Sequence, residues 1–332
     1  EIGPGRRWLF QEWSLYRDSP DFDVLAPSSE SPFPRVALRA GVDPAAIRMG
    51  SLNYAGNAAE SYAVFRRRKA DGTLPAHTRF LVSFPTPGTS LTVLVDERSR
   101  AAVAPLHGRY LRECIDEILA VVPPDELAVC WDVREAEAWE HGVLPWGGGT
   151  VTREDLLGGL LTVAGWLPEP VELGFHLCYG DQNARIDRAL ATLRPEGFAL
   201  DGDLTSTDRL LPARIFPAYL GVLAHLTTEI FARCPRRVDF VHLPTVHAVE
   251  TIDATAYRPL AALEVPEHAE VHLGVVDLDG GLDATRRHIE AAATVLPRFG
   301  ISPECGIGRV SSDEFAFTLD ALRVLATEMV PR

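Results

Sequence analysis

Over most of the chain, short apolar runs rich in β-branched residues alternate with longer stretches of helical period, the pattern of parallel βα units. The runs Thr78 to Phe84, Leu127 to Asp132, Val171 to Cys178, Arg237 to Leu243, Glu270 to Asp277 and Gly300 to Cys305 read as strands, with a weaker one over Arg48 to Asn53. The stretches Asn57 to Lys69, Ala101 to Ala120, Arg153 to Trp166, Pro217 to Cys234, Ala284 to Leu296 and Ser312 to Thr327 read as helices. In the last, Phe315, Leu319, Leu322, Val324 and Leu325 form a broad apolar stripe, and Ser311 and Ser312 precede acidic Asp313 and Glu314 in the first turn. Helices of this kind pack on a sheet. A parallel sheet of this size either stays open or closes as an eight-stranded barrel, and no GxGxxG turn follows any strand. The expected fold is therefore α/β, a (β/α)8 TIM barrel forming one domain over residues 1–332. The strand count is one short, and the opening Glu1 to Gly5, then Trp8, Phe10 and Trp13, reads as a loop, so a first strand is expected upstream. Ser19 to Pro34, Leu144 to Val151 and Phe198 to Pro212 are too long or too rich in Gly and Pro for tight turns and are expected over one mouth of the barrel.

Composition narrows the partners. With 332 residues, 46% hydrophobic and 23% charged, the chain builds its own core. No window approaches ~18 uninterrupted apolar residues and the N-terminus lacks the basic start and apolar run of a signal peptide, so neither a membrane partner nor export is expected. Asp and Glu outnumber Lys and Arg by 46 to 32, giving a net charge of −14. The most basic run, Arg66-Arg67-Arg68-Lys69, ends a helix, where it complements the helix dipole, and nucleic acid is not an expected partner. The five cysteines, at 114, 130, 178, 234 and 305, are odd in number and scattered, which implies no disulfide framework and fits a reducing cytoplasm.

The sharpest chemical signal is His176-Leu177-Cys178 at a strand end. Alternate residues of a strand point the same way, so this pair presents an imidazole and a thiol together. Alone, the pair reads equally as a packed Cys beside a hydrogen-bonded His. Two further strand ends add to it, His242 closing Val238 to His242 and Cys305 following Ser302-Pro303-Glu304. In a barrel the C-terminal strand ends converge on one face, where His176, Cys178, His242 and Cys305 would form a tetrahedral zinc site.

These residues carry a resemblance. His176-Leu177-Cys178-Tyr179, Leu273-Gly274-Val275-Val276-Asp277 followed by Gly280-Gly281, and Pro303-Glu304-Cys305-Gly306-Ile307 resemble the catalytic barrel of cobalamin-independent methionine synthase, a barrel shared with uroporphyrinogen decarboxylase. The resemblance runs from about Arg79 to the C-terminus. It implies that His176, Cys178 and Cys305 hold a catalytic Zn2+, and that the protein is an alkyl or methyl transferase activating a small-molecule thiol. Where the family has a glutamate as its fourth ligand this chain has His242, which removes a negative charge from the site, and Glu304 stands where the family has Asp. His176 to Asp181, His242-Leu243-Pro244 and Glu304 to Arg309 also resemble a group of single-barrel bacterial relatives, and Glu1 to Arg6 resembles a loop of that group, which supports a strand upstream. The synthases carry two barrels and this length holds one, so a folate polyglutamate donor is not expected.

The remaining candidates keep two readings each. Asp132 ends a strand where the synthase pattern places an aspartate on the substrate amino group, but Val133-Arg134 replaces that pattern's Glu-Pro, leaving a cap or ion pair as the alternative. Asp277 is either a catalytic base or support for the ligands, or a cap of the next loop. Arg309 is a carboxylate clamp or a surface ion pair, and Tyr179 a hydrogen-bond donor to substrate or a packed aromatic. Asp181 reads as a cap, His247 as a spare ligand, and Cys114, Cys130 and Cys234 as structural. Two rival functions remain at this level: a metal-dependent lyase or hydrolase using Asp132 or Asp277 as base, and a non-catalytic binding module with a structural metal.

Overall fold

The computed structural model describes residues 8–27, 34–142, 144, 149–178, 216–246, 249, 251–307 and 310–329. Helix α1 (Trp8–Arg17) leads into an antiparallel pair, β1 (Phe22–Leu25) and β2 (Arg35–Leu38), and α2 (Tyr54–Ala70) precedes the main sheet. Then come β3 (Phe80–Pro85), α3 (Pro87–Leu94), α4 (Glu97–Leu119), β4 (Leu127–Asp132), α5 (Ala138–His141), α6 (Arg153–Ala164) and β5 (Glu172–His176). The chain continues through α7 (Phe216–Arg233), β6 (Phe240–Pro244), α8 (Ala254–Tyr257), β7 (Glu270–Val276), α9 (Gly281–Ala293), β8 (Gly300–Pro303) and α10 (Ser312–Met329).

Strands β3 to β8 form one parallel sheet in strict chain order. A doubly wound sheet reverses its order at a switch point, and this one does not. Among the described residues no strand joins the outer edges of β3 and β8, so the architecture established here is an α/β fold with a six-stranded parallel sheet. No helix among the described residues is long and apolar enough to cross a membrane.

Strand periodicity gives the sheet two unlike faces. Leu127, Val129 and Trp131, Leu173 and Phe175, Val241 and Leu243, and Val271, Leu273 and Val275 are all buried in the principal core beneath the helices. The opposite face carries a polar row among Ala128, Cys130, Phe240 and Pro244. One register row there runs Asp132, His176, His242, His272 across β4 to β7 and ends at Gly300 of β8. Gly300 has no side chain because the His272 ring fills that space.

Several expectations need correcting. Arg48 to Asn53 is not a strand: Asn53 adopts φ 55° and its N–H bonds to the Ser51 hydroxyl, so the segment turns into α2 instead of pairing. The stretch after Trp8 is a helix and not a loop, and Phe22–Leu25, expected in a lid, pairs as β1. Helix α3 escapes the sequence reading because Pro87-Gly88 looks like a turn. Pro87 instead occupies the first helical turn and the Thr86 hydroxyl caps it by accepting the Thr89 N–H. In α10 the packed side carries Thr318, Ala321 and Leu325, while Phe315 and Leu319 are 43% and 49% exposed. Phe198 to Pro212, and residues 143 and 145–148 of the glycine-rich stretch, lie outside the described residues.

A smaller core joins α1, the β1–β2 pair, α3 and α4, and it encloses an acid. Glu12 is fully buried with its Oε2 3.8 Å from Nε2 of His107, whose Nδ1 meets the Tyr16 hydroxyl at 2.8 Å. Burial raises the Glu12 pKa to about 8, against the opposing pull of the Ser90 and Tyr54 hydroxyls, and burial lowers that of His107 to about 3. Both are therefore neutral at pH 7. His107 gains its proton only on unfolding, so its contribution to stability rises with pH between about 3 and 6.5. Glu12 contributes the opposite slope: the folded state keeps a proton that the unfolded chain gives up above pH 4.5, so its contribution falls as pH rises from there to about 8. Replacing Glu12→Gln is expected to flatten this slope and to raise stability at pH 7 by up to roughly 3 kcal/mol, checked by urea unfolding at several pH values. An unchanged slope would show that Glu12 is ionised in the fold.

Candidate metal site

Two of the four expected ligands sit on β5 and its extension. His176 ends the strand, and Cys178 lies two residues further on the same side. The backbone there continues the ladder, with Leu177 N–H bonded to the His242 carbonyl and Cys178 N–H to that of Val133, each at 3.1 Å. The third ligand comes from the loop after β8. That loop crosses β7 closely over Gly274, where a Cβ would stand 2.7 Å from the Glu304 Cα, and the missing side chain lets Cys305 reach the site. The ligand atoms of His176, Cys178 and Cys305 all lie within 4.8 Å of one another, with the two Sγ atoms 3.8 Å apart.

This group fits a tetrahedral metal. Zn–S bonds of about 2.3 Å at tetrahedral angles place two sulfurs roughly 3.8 Å apart, which is the separation found. The Cys178 thiol is pushed well above its ordinary pKa, first by hydrogen bonding to Cys305, then by burial and by the charges of Cys305 and Asp132, with Arg134 opposing. Two such sulfurs ionise together only beside a strong positive charge, and a divalent cation provides one. One imidazole and two sulfurs form a donor set suited to zinc.

His242 lies beside the group. Its ring stacks on that of His176 with centroids 4.6 Å apart and planes at 19°. It bonds to the Pro303 carbonyl, and its Nε2 has no hydrogen-bond partner. Burial first, then His176, lowers its pKa well below the ordinary value, so the ring stays neutral and able to donate a lone pair. The row of the sheet thus places His242 next to the three clustered donors without adding it to them.

Asp132 is half-buried at the end of β4, in register with His176, and its charge acts on Cys178. Its carbonyl accepts the Thr86 N–H at 3.1 Å and the Thr89 hydroxyl at 3.0 Å. Sequence reasoning passed over the burial of the next two neighbours, Arg134 and Glu135, each 7% exposed. Glu135 meets the hydroxyls of both Thr86 and Thr89. Both hydroxyls donate to the Glu135 carboxylate, and that of Thr89 is shared with the Asp132 carbonyl. Burial raises the Glu135 pKa against the opposing pull of these two hydroxyls. Charged residues just past a strand end read as solvated loop, and only the capping Thr86 and Thr89 hinted at a buried acceptor.

Asp277 is engaged elsewhere. Its Oδ1 accepts the N–H groups of Asp279 and Gly280 at 2.9 and 2.7 Å, capping the turn into α9, and Oδ2 lies 3.7 Å from His288 Nε2. The hydrogen bond with His288 is the main cause that lowers its pKa to about 2, which makes it a weak base. None of the five cysteines is in a disulfide. Burial pushes the Cys114 thiol up to about 12 and raises those of Cys130 and Cys234, in keeping with structural roles. Tyr179, Asp181, His247 and Arg309 lie outside the described residues. No family model matches the chain, and no curated protein matches its sequence.

Proposed function

We propose that this protein is a zinc-dependent alkyl or methyl transferase acting on a small-molecule thiol, built on a barrel like that of cobalamin-independent methionine synthase. The observation that carries the reading is the meeting of His176, Cys178 and Cys305, donors from the β5 end and from a loop 127 residues further on, on the sheet face that carries the polar row. A metal that merely staples a fold is usually held by local loops, whereas these donors sit at separate strand ends where barrel enzymes place their chemistry. The unreversed strand order supports closure into a (β/α)8 barrel.

When bound, zinc would supply the Lewis acidity that holds a substrate thiol as its more nucleophilic thiolate near neutral pH. The chain's own residues do the rest. His176, Cys178 and Cys305 would hold the ion, and His242, whose ring stacks on that of His176, stands where the synthases have a glutamate. Asp132 orients the substrate amino group, held in place by the Thr86, Thr89 and Glu135 network, and Tyr179 and Arg309 bind the remainder of the substrate. Asp277 is committed to its turn. The partner is a small molecule, without nucleic acid.

Calorimetry of small thiols in buffers of differing ionisation enthalpy tests this reading. A productive thiol is expected to release about one proton on binding to the metal-loaded protein, because a coordinated thiol loses its proton. The release should vanish in Cys305→Ser. A broad thiol panel that binds without proton release, or not at all, would contradict the transferase reading.

A further inference from the structure

Cys178 and Cys305 differ in access and in freedom. Cys178 is 4% exposed and fixed by its N–H bond to the Val133 carbonyl. Cys305 is partly exposed on a loop, and a Cβ on the neighbouring Gly306 would meet nothing within 4 Å, so there is room around this segment. The Sγ atoms are 3.8 Å apart, and closing them to the roughly 2.05 Å of an S–S bond takes less than about 2 Å of travel by the loop side. None of the other cysteines shares this arrangement among the described contacts: Cys114 packs in α4, Cys130 in β4 and Cys234 after α7.

From this geometry we infer that Cys178 and Cys305 form a reversible disulfide under peroxide, so that the site carries a thiol-oxidation switch. The inference concerns the same residues as the metal reading but needs only the two sulfurs. Peroxide meets the exposed thiol first. Cys305–SH and H2O2 give Cys305–SOH and water as the O–O bond breaks and one oxygen passes to sulfur. The Cys178 sulfur then attacks the sulfenic sulfur, the S–S bond forms, the S–O bond breaks, and the departing oxygen leaves as water with the Cys178 proton. Two electrons pass from the sulfur pair to peroxide in all. The disulfide removes both sulfur donors from His176 at once, so oxidation and metal binding exclude each other.

The test uses the full chain, stripped of metal with a chelator and treated with hydrogen peroxide, followed by thiol titration and peptide mapping without reductant. Titratable thiols are expected to fall by two from five, the chain to become lighter by two hydrogen atoms, one peptide to join Cys178 to Cys305, and dithiothreitol to restore the thiols. In Cys178→Ser the sulfenic acid on Cys305 should persist and be trapped by dimedone. Should that variant fail to fold, the wild-type peptide map decides alone. A linkage between any other pair, or wild-type Cys305 oxidised while Cys178 stays a free thiol, would overturn the inference. Zinc-loaded protein should cross-link at least about tenfold more slowly and release its metal as it does so, since bound sulfurs are shielded from oxidant. Protein that binds zinc yet forms no such disulfide when stripped refutes the switch and leaves the metal reading standing. A disulfide in protein that never binds zinc does the reverse.

Discussion

Purified without chelator, the wild-type protein is expected to hold about one zinc per chain, and Cys178→Ser and Cys305→Ser each to lose most of it, measured by elemental analysis. Each substitution removes a sulfur donor from a group of three and leaves a hydroxyl that binds zinc poorly. Stability follows the metal. A ligand present at 1,000 times its dissociation constant adds about 4 kcal/mol to the folded state, so chelation should lower the melting temperature of wild type by several degrees and barely move that of the variants. Full metal retention in both serine variants would remove these residues from the site.

The largest effect on the fold itself is expected at Trp131. It is fully buried on the core face of β4, one residue before Asp132, with ring centroids 5.8 Å from Phe84 and 5.9 Å from Trp166. Removing it leaves a void between sheet and helices at the level of the site. Trp131→Ala should cost roughly 3–5 kcal/mol by denaturant unfolding, most of it transfer and cavity energy. A loss below ~1 kcal/mol would mean that the helix layer collapses onto β4 and fills the space.

The sheet was legible because its evidence is local. Leu127 to Trp131 is a continuous apolar run and Glu270 to Asp277 is rich in Val and Leu, and they became β4 and β7 almost to the residue. Helix α3 was hidden by Pro87-Gly88, since whether such a pair starts a helix or a turn depends on the cap at Thr86 and on what the helix covers. Strand alternation put His176 and Cys178 on one side, but by itself left open a packed Cys beside a hydrogen-bonded His. Bringing Cys305 to them required the strand order and the bare Gly274, and only the strand order was anticipated. The position of His242 relative to His176 depends on the register between β5 and β6, which a long crossover sets and no short motif encodes. Glu12, Arg134 and Glu135 stayed invisible for one common reason: burial of a charged residue belongs to the packed structure, and in sequence each looks like solvent-facing charge.

X-ray absorption at the zinc edge of the purified protein tests the central claim most directly, because it reads the donor atoms themselves. The expected result is a first shell containing two sulfurs at about 2.3 Å with nitrogen at about 2.0–2.1 Å, reduced to one sulfur in Cys305→Ser. A shell of nitrogen and oxygen without sulfur, in protein that retains its zinc, would contradict a site built from His176, Cys178 and Cys305.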